Sequence, residues 1–249
     1  MSQHIEIAKH GAVVVATMSR LDKKNALTGE MYNALTNAFR QTSRDETAGA
    51  LLLRGRDGVF TAGNDIADFI DGIGNGQDFP GWNFIQTLAT FDKPLVAAID
   101  GAAIGIGTTL CFHCDLVYAA PQAIFRMPFV DLGLVPEAGS SLLAPQRFGY
   151  ALAAQYILLA EPFDAPTALR LGLVNEVIEV DALYDRALAK AQALAAKPRD
   201  ALLAARRLMR GDPAILKARM EEEIQLFREA IATPQARNAF AAFLQRPRN

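Results

Sequence analysis

The sequence predicts an α/β fold, a layered core of strands and helices that gives way to an all-helical C-terminal region. Three observations predict it. Short apolar, β-rich runs alternate with amphipathic helical stretches. Gly-rich turns stand at the ends of the strand-like runs. Near Asp181 the texture becomes Ala-, Leu- and charge-rich, punctuated by Pro198 and Pro213.

Taken in order, residues 13–16 and 50–53 are β-rich, and the second run leads into the turn Gly55-Arg56-Asp57-Gly58 before Phe60. Between them, 28–40 places Met31, Leu35, Ala38 and Phe39 at helical spacing, with Thr28 available as a cap. The alternation recurs: 94–99 reads as a strand, 108–114 as a helix, 116–120 as a strand, and 142 onward as helical. Four helices then follow over 181–196, 200–210, 212–230 and 234–245. The boundary falls at about 196, dividing a core of 1–195 from a helical region of 196–249. Ile224, Phe227 and Ile231, then Phe240, Phe243 and Leu244, form packing stripes suited to the core or to another subunit.

The whole chain limits the function classes. Its 249 residues can bury a full core as one domain or as a domain with a helical appendage. A formal net charge of -2 leaves no global electrostatic footprint for nucleic acid or for an anionic membrane. Cys111 and Cys114 lie in an apolar stretch, which reads as buried thiols in a reducing compartment. His113 between them does not make a zinc site, and neither His4 nor His10 has a chelating partner nearby in sequence, so no metal is expected. The start Met1-Ser2-Gln3-His4 lacks the pattern of a signal peptide, and no continuous apolar run approaches a membrane span. A soluble cytoplasmic protein is the expectation.

The chemistry concentrates in three segments. Gly101-Ala102-Ala103-Ile104-Gly105-Ile106-Gly107 fails as a dinucleotide loop, because Leu110 stands where a third glycine belongs. Its glycines permit either tight packing or an exposed backbone N–H at a helix start, with Ile106 suited to the second role. Ala62-Gly63-Asn64-Asp65 supplies a second turn, where Asp65 either caps the following helix or takes part in chemistry. Glu137, in Gly133-Leu134-Val135-Pro136-Glu137-Ala138-Gly139, is either an exposed loop carboxylate or a partly buried one able to take and return a proton. Two N–H-bearing loops and one base suit proton transfer beside a stabilised enolate better than metal or phosphate chemistry.

With these segments in order and spacing, together with Leu21-Asp22-Lys23-Lys24-Asn25-Ala26-Leu27, Leu171-Gly172-Leu173-Val174 and Ala239-Phe240-Ala241-Ala242-Phe243-Leu244, the chain resembles the crotonase (enoyl-CoA hydratase/isomerase) superfamily over nearly its whole length. Gly63-Asn64-Asp65-Ile66 and Pro136-Glu137-Ala138-Gly139 look most like the monofunctional Δ3,Δ2-enoyl-CoA isomerases. The resemblance implies a spiral of ββα repeats with C-terminal helices that assemble trimers or dimers of trimers. It assigns oxyanion-hole N–H groups to Asn64 and Ile106 and the proton shuttle to Glu137. The two places where hydratases of this family carry glutamates hold Thr109 and Phe129 here. The implied reaction is therefore isomerisation of a 3-enoyl-CoA to a 2-enoyl-CoA without prosthetic group or metal. The alternatives are hydration, with Asp131 helping Glu137 to hold water, thioester hydrolysis, or a scaffold that binds CoA without turnover.

For coenzyme A, as part of the substrate, the resemblance implies contacts from Lys23, Lys24, Ala26, Ala62 and Asp65, with Phe243 and Arg246 reaching in from an adjacent subunit. The 69–82 segment would form a mobile wall of the acyl pocket. Trp82, Phe84 and Phe129 either line that pocket or serve the core.

Overall fold

The computed structural model describes residues 2–74 and 79–245. Strands β1 (Ile5–His10) and β2 (Val13–Met18) form an antiparallel hairpin in which His10 faces Val13. Helix α1 (Gly29–Arg44) starts where the Thr28 side chain accepts the Met31 N–H at 3.3 Å, and it runs four residues beyond the expected end. Met31, Leu35, Ala38 and Phe39 all point inward, as the helical period requires.

Next come β3 (Ala50–Arg54), β4 (Val59–Thr61), α2 (Ile66–Gly74) and α3 (Pro80–Thr90). They are followed by β5 (Leu95–Ile99), β6 (Ala102–Ile104) and the short α4 (Ile106–Thr109), which tightens into a 3₁₀ turn at Leu110–His113. The helix expected over 108–114 thus begins two residues early, because Gly105 turns the chain at φ 56° and frees the next residue to start the helix. The third round is β7 (Leu116–Ala119), β8 (Ile124–Arg126), α5 (Ser140–Phe148) and α6 (Tyr150–Leu158). Then β9 (Phe163–Asp164), α7 (Ala165–Arg170) and β10 (Glu176–Val177) lead to α8 (Val180–Ala195), α9 (Arg199–Arg210), α10 (Pro213–Ile231) and α11 (Pro234–Leu244).

The strands form two sheets, ordered β1-β2-β3-β5-β7-β10 and β4-β6-β8-β9. Each successive pair, β3/β4, β5/β6 and β7/β8, gives its first strand to the larger sheet and its second to the smaller before a helix closes the round. This is a spiral of ββα repeats. Among the described residues, pairing is parallel through the interior of both sheets, and only the edge strands β1 and β9 are antiparallel to their neighbours.

Burial on both faces explains the uninterrupted apolar runs of the central strands. Leu51, Leu53, Leu95, Ala97 and Ile99 face the main core, while Ala50, Leu52, Val96 and Ala98 pack against Leu183, Ala187 and Ala191 of α8. Fully burying one such leucine or valine contributes about 1.5–3 kcal/mol. The last helices return onto the same chain. Arg206 of α9 binds Asp115 at 2.8 Å and the Phe91 carbonyl at 2.8 Å. Phe227 of α10 meets Trp82 edge-on at 5.1 Å, and Phe240 of α11 meets Phe69 at 6.1 Å. Among the described residues, no helix is long and apolar enough to cross a membrane.

Candidate active site

Strands β4 and β6 are parallel neighbours, so their carboxyl ends deliver two loops to one edge of the smaller sheet. After β4, the Ala62–Asp65 loop is stitched to the early 20–27 segment. Ala62 N–H reaches the Lys24 carbonyl at 2.9 Å, Leu27 N–H the Gly63 carbonyl at 2.8 Å, and Asp65 N–H the Leu27 carbonyl at 2.9 Å. The buried Asn25 amide reinforces the seam by donating to the Val59 carbonyl at 2.9 Å. Because Leu27 bonds to the residues on either side of Asn64, the Asn64 N–H points away from it.

After β6, the Gly105 N–H bonds the Arg126 carbonyl at 2.8 Å, and the Gly105 carbonyl accepts from Thr108 and Thr109 at 2.9 and 3.0 Å. Ile106, the first residue of α4, has no carbonyl one turn earlier to meet its N–H. Among the described residues, neither the Asn64 nor the Ile106 N–H meets an acceptor. The loops are in contact: a side-chain carbon on Gly63 would lie 2.9 Å from the Ile104 carbonyl oxygen, and one on Gly107 would lie 2.6 Å from Thr61 Cγ2. Gly101 is the packing position of its segment, since a Cβ there would overlap the Gly58 carbonyl oxygen at 1.7 Å.

Glu137 stands opposite, in the turn before α5. Its carboxyl group is buried, and Thr109 Oγ1 of α4 donates to Oε1 at 2.5 Å. Burial pushes its pKa up to about 8; the Thr109 hydrogen bond works against the rise, and the charge of Glu223 adds to it. Glu137 and Asn64 line one cavity together with Tyr32, Trp82, Ile85 and Phe227. Tyr32, fully buried on α1, donates its hydroxyl to Asn64 Oδ1. Burial, then the charge of Glu137, holds the Tyr32 pKa well above 10, so the phenol stays protonated.

Asp65 caps α2 by accepting from Ala67 and Asp68 at 3.1 and 3.2 Å, and it pairs with Arg20 at 2.8 Å. Burial opposes its ionisation, but Arg20 and these amides hold its pKa below the ordinary carboxylate value. Lys23, Lys24 and Ala26 lie on the segment stitched to Ala62–Asp65, so five of the seven residues expected around CoA are brought together, with Lys24 exposed. Phe243 on α11 is 45% exposed, and Arg246 lies outside the described residues, as does part of the 69–82 wall. Trp82 lines the cavity. Phe84 instead packs against Tyr32 and Phe39, and Phe129 is buried in the main core. Asp131 is half-exposed and paired with Arg126 at 2.7 Å. A larger groove between α1, α3 and α10, of ≈ 630 Å³, contains none of the residues singled out for chemistry.

Two residues escape the sequence reading. Tyr32 hides in the apolar stripe of α1, where its hydroxyl is the only signal. Glu223 hides in the run Glu221-Glu222-Glu223, yet it shares the inward face of α10 with Met220, Ile224 and Phe227. A carboxylate on a buried stripe is the mark of a specific partner.

Comparison with known proteins bears on this geometry. A family model described as enoyl-CoA hydratase/isomerase matches residues 8–248. Enoyl-CoA delta isomerase 2 of Rattus norvegicus is 31% identical across 98% of this chain, which spans 64% of the rat protein's length. A probable enoyl-CoA hydratase of Mycobacterium leprae (strain TN) is 32% identical over 94% of this chain and 92% of its own. The crystal structure of an enoyl-CoA hydratase/isomerase from Pseudoalteromonas atlantica T6c superposes with a TM-score of 0.93 at 35% identity, covering 99% of this chain and 100% of that one.

Proposed function

From the premise that this chain belongs to the enoyl-CoA hydratase/isomerase (crotonase) family, we propose that it is a Δ3,Δ2-enoyl-CoA isomerase with Glu137 as its proton shuttle. One observation carries the choice among the family's reactions: among the described residues the cavity holds a single carboxylate, and its hydrogen-bond partner is the hydroxyl of Thr109 rather than a second acid. Hydration needs a water held between two polar groups, and Asp131 is committed to Arg126.

In this reading the thioester oxygen of a 3-enoyl-CoA accepts from the Asn64 and Ile106 N–H groups. Ionised Glu137 removes a proton from C2; the electron pair delocalises over the thioester and the C3–C4 double bond as a dienolate. The protonated Glu137 then delivers the same proton to C4, leaving the double bond between C2 and C3. Negative charge grows on the thioester oxygen during the first transfer, so the two donors bind the transition state better than the substrate. One such donor supplies roughly 10²–10³ in rate, and a positioned acid-base group typically 10²–10⁴. A pKa of about 8 suits a group that must be base and acid in turn near neutrality.

Lys23, Lys24, Ala26, Ala62 and Asp65 are assigned to coenzyme A, and Phe243 and Arg246 to its contacts from a neighbouring subunit of a trimer or a dimer of trimers, in the cytoplasm. Hydration remains the second reading, because the Mycobacterium leprae relative bears a hydratase name. Metal-free protein incubated in parallel with 3-enoyl-CoA and 2-enoyl-CoA tests the choice. Isomerisation without comparable water addition supports the proposal; exclusive water addition rejects it.

A further inference from the structure

We propose that Glu223, on α10, is a positioning residue that clamps the turn carrying Glu137; the inference rests on Glu137 being the proton shuttle. The turn is built to need an anchor. Ala138 at φ 55° and Gly139 at φ 71° are consecutive left-handed residues, and a non-glycine residue there is held against its steric preference. Inside the turn, Ser140 donates to the Glu137 carbonyl from its hydroxyl at 2.7 Å and its N–H at 3.0 Å. From outside, His113 Nε2 donates to the Ala138 carbonyl at 2.7 Å. Glu223 holds the turn from outside as well, at its backbone. Its Oε2 accepts the Gly139 N–H at 2.6 Å, and its Oε1 accepts the Ser141 N–H at 3.0 Å and hydroxyl at 2.6 Å.

A carboxylate in this position is expensive unless saturated with donors, since its desolvation costs several kcal/mol. Glu223 is only 4% exposed, and three donors converge on it from α5 and the turn before it. Hydrogen bonds of this charge-assisted kind are roughly twice as strong as neutral ones. Arg219, one turn earlier on α10, donates to the Ser141 hydroxyl at 3.4 Å and so backs the same cluster. Gly139 has no side chain with which to cap α5, and Glu223 takes that place from 84 residues away. The clamp therefore begins two residues from the reacting carboxylate.

An ordinary cap would affect stability alone, whereas this one also acts on the chemistry. Glu137 faces Thr109 from α4, Tyr32 from α1 and Glu223 from α10, while α3 offers it only uncharged side chains such as Trp82 and Ile85. His113, beside the turn, is kept neutral because burial pushes its pKa down to about 4. Burial raises the Glu223 pKa as well, against the hydrogen bonds from Ser141 and Gly139 and the charge of Arg219. In its ionised form Glu223 is, among the described residues, the negative charge that acts on Glu137, and it favours the protonated form.

The test compares Glu223→Gln and Glu223→Asp with the wild type. Gln retains shape but removes the charge and sets an NH₂ against one backbone donor. We expect kcat for isomerisation to fall about 10-fold or more with KM changed less than about 3-fold, the pattern of a lost transition-state arrangement. The acid limb of kcat/KM should move to lower pH, because Glu137 loses a like charge. Glu223→Asp keeps the charge and shortens the reach, so it should restore the limb and leave kcat low. Wild-type kcat together with an unmoved limb in a folded Glu223→Gln protein would overturn the clamp. Should that variant not fold, hydrogen exchange on the wild-type chain decides: Gly139 and Ser141 amides protected as strongly as those of α10 support the clamp, and exchange at free-loop rates refutes it. Normal turnover by Glu137→Gln would instead remove the shuttle reading, whatever the exchange at Gly139 shows.

Discussion

The Thr109 hydroxyl donates to Glu137 Oε1 across 2.5 Å, joining the first helix turn after β6 to the turn before α5. Its donation favours the ionised carboxylate and opposes the effect of burial. Thr109→Val should therefore raise the Glu137 pKa further and move the acid limb of kcat/KM to higher pH. A hydrogen bond to a charged group is worth about 1.5–3 kcal/mol, enough for a displacement of about one pH unit. A pH–rate profile identical to that of the wild type would show that the contact has no role in setting the base.

Glu137→Gln should cut isomerisation by more than about 100-fold while leaving CoA binding largely intact. It carries a second signature in stability. Folding raises the Glu137 pKa from 4.5 to about 8, so the native state binds the proton more tightly than the unfolded chain. That advantage is full below pH 4.5 and is lost as pH rises through about 8, at up to about 1.4 kcal/mol per pH unit. The Gln variant should lose this slope and gain stability relative to wild type at alkaline pH. Denaturation midpoints of the two proteins across that range measure it; parallel curves would mean that Glu137 titrates normally.

Asn64→Ala retains the backbone N–H and loses the hydrogen bond from Tyr32. Activity should stay within about 10-fold of wild type, and Tyr32→Phe should have a similar effect. Because both remove one contact, the double variant should lose less than the sum of the two. Additive losses in that cycle would show that the two side chains act separately.

Gly63→Ala should be more damaging than any change at Asn64. The new methyl would sit 2.9 Å from the Ile104 carbonyl oxygen on a backbone at φ 88°. Strain of this kind costs on the order of 1–3 kcal/mol, and relief requires the two loops to part. Turnover should fall much further than thermal stability, which calorimetry alongside kinetics will separate. Wild-type turnover would mean that the loop spacing is not critical.

Removal of all residues after Pro198 takes away Glu223, Phe227 and Phe240 together. Trp82 and Phe69 then lose the aromatic partners that α10 and α11 supply. The shortened chain should lose assembly and CoA affinity, read by sedimentation and by titration with CoA. A soluble monomer with unchanged affinity would remove both the assembly role of the tail and the contacts assigned to Phe243 and Arg246.

What the sequence reveals follows the length of each structural signal. Helices α1, α8, α9, α10 and α11 each span several turns, and their extents lie close to those expected from periodicity. The smaller sheet is a different case: its strands have two or three residues, too few to show alternation, and only their place in the spiral makes them strands. Glu137 stands out as an acid in an apolar turn, but whether it was exposed or buried depended on α10, some 80 residues later, and on α1, some 100 residues earlier. Glu223 and Tyr32 look like ordinary helix residues because their partners are distant in sequence.

The two unpartnered amides have an evolutionary consequence. Every amino acid except proline supplies an N–H, so replacing the residue at 64 or 106 seldom deletes the donor itself. The heritable instructions for their placement lie in neighbours: Gly63 and Gly107 where the loops touch, Leu27 and Asn25 along the seam, Gly105 at the bend. If these amides are the proposed thioester-oxygen donors, drift at the two positions retunes the surrounding pocket while the donors themselves persist. A mutational scan should find the intolerance concentrated in residues that never touch the substrate oxygen.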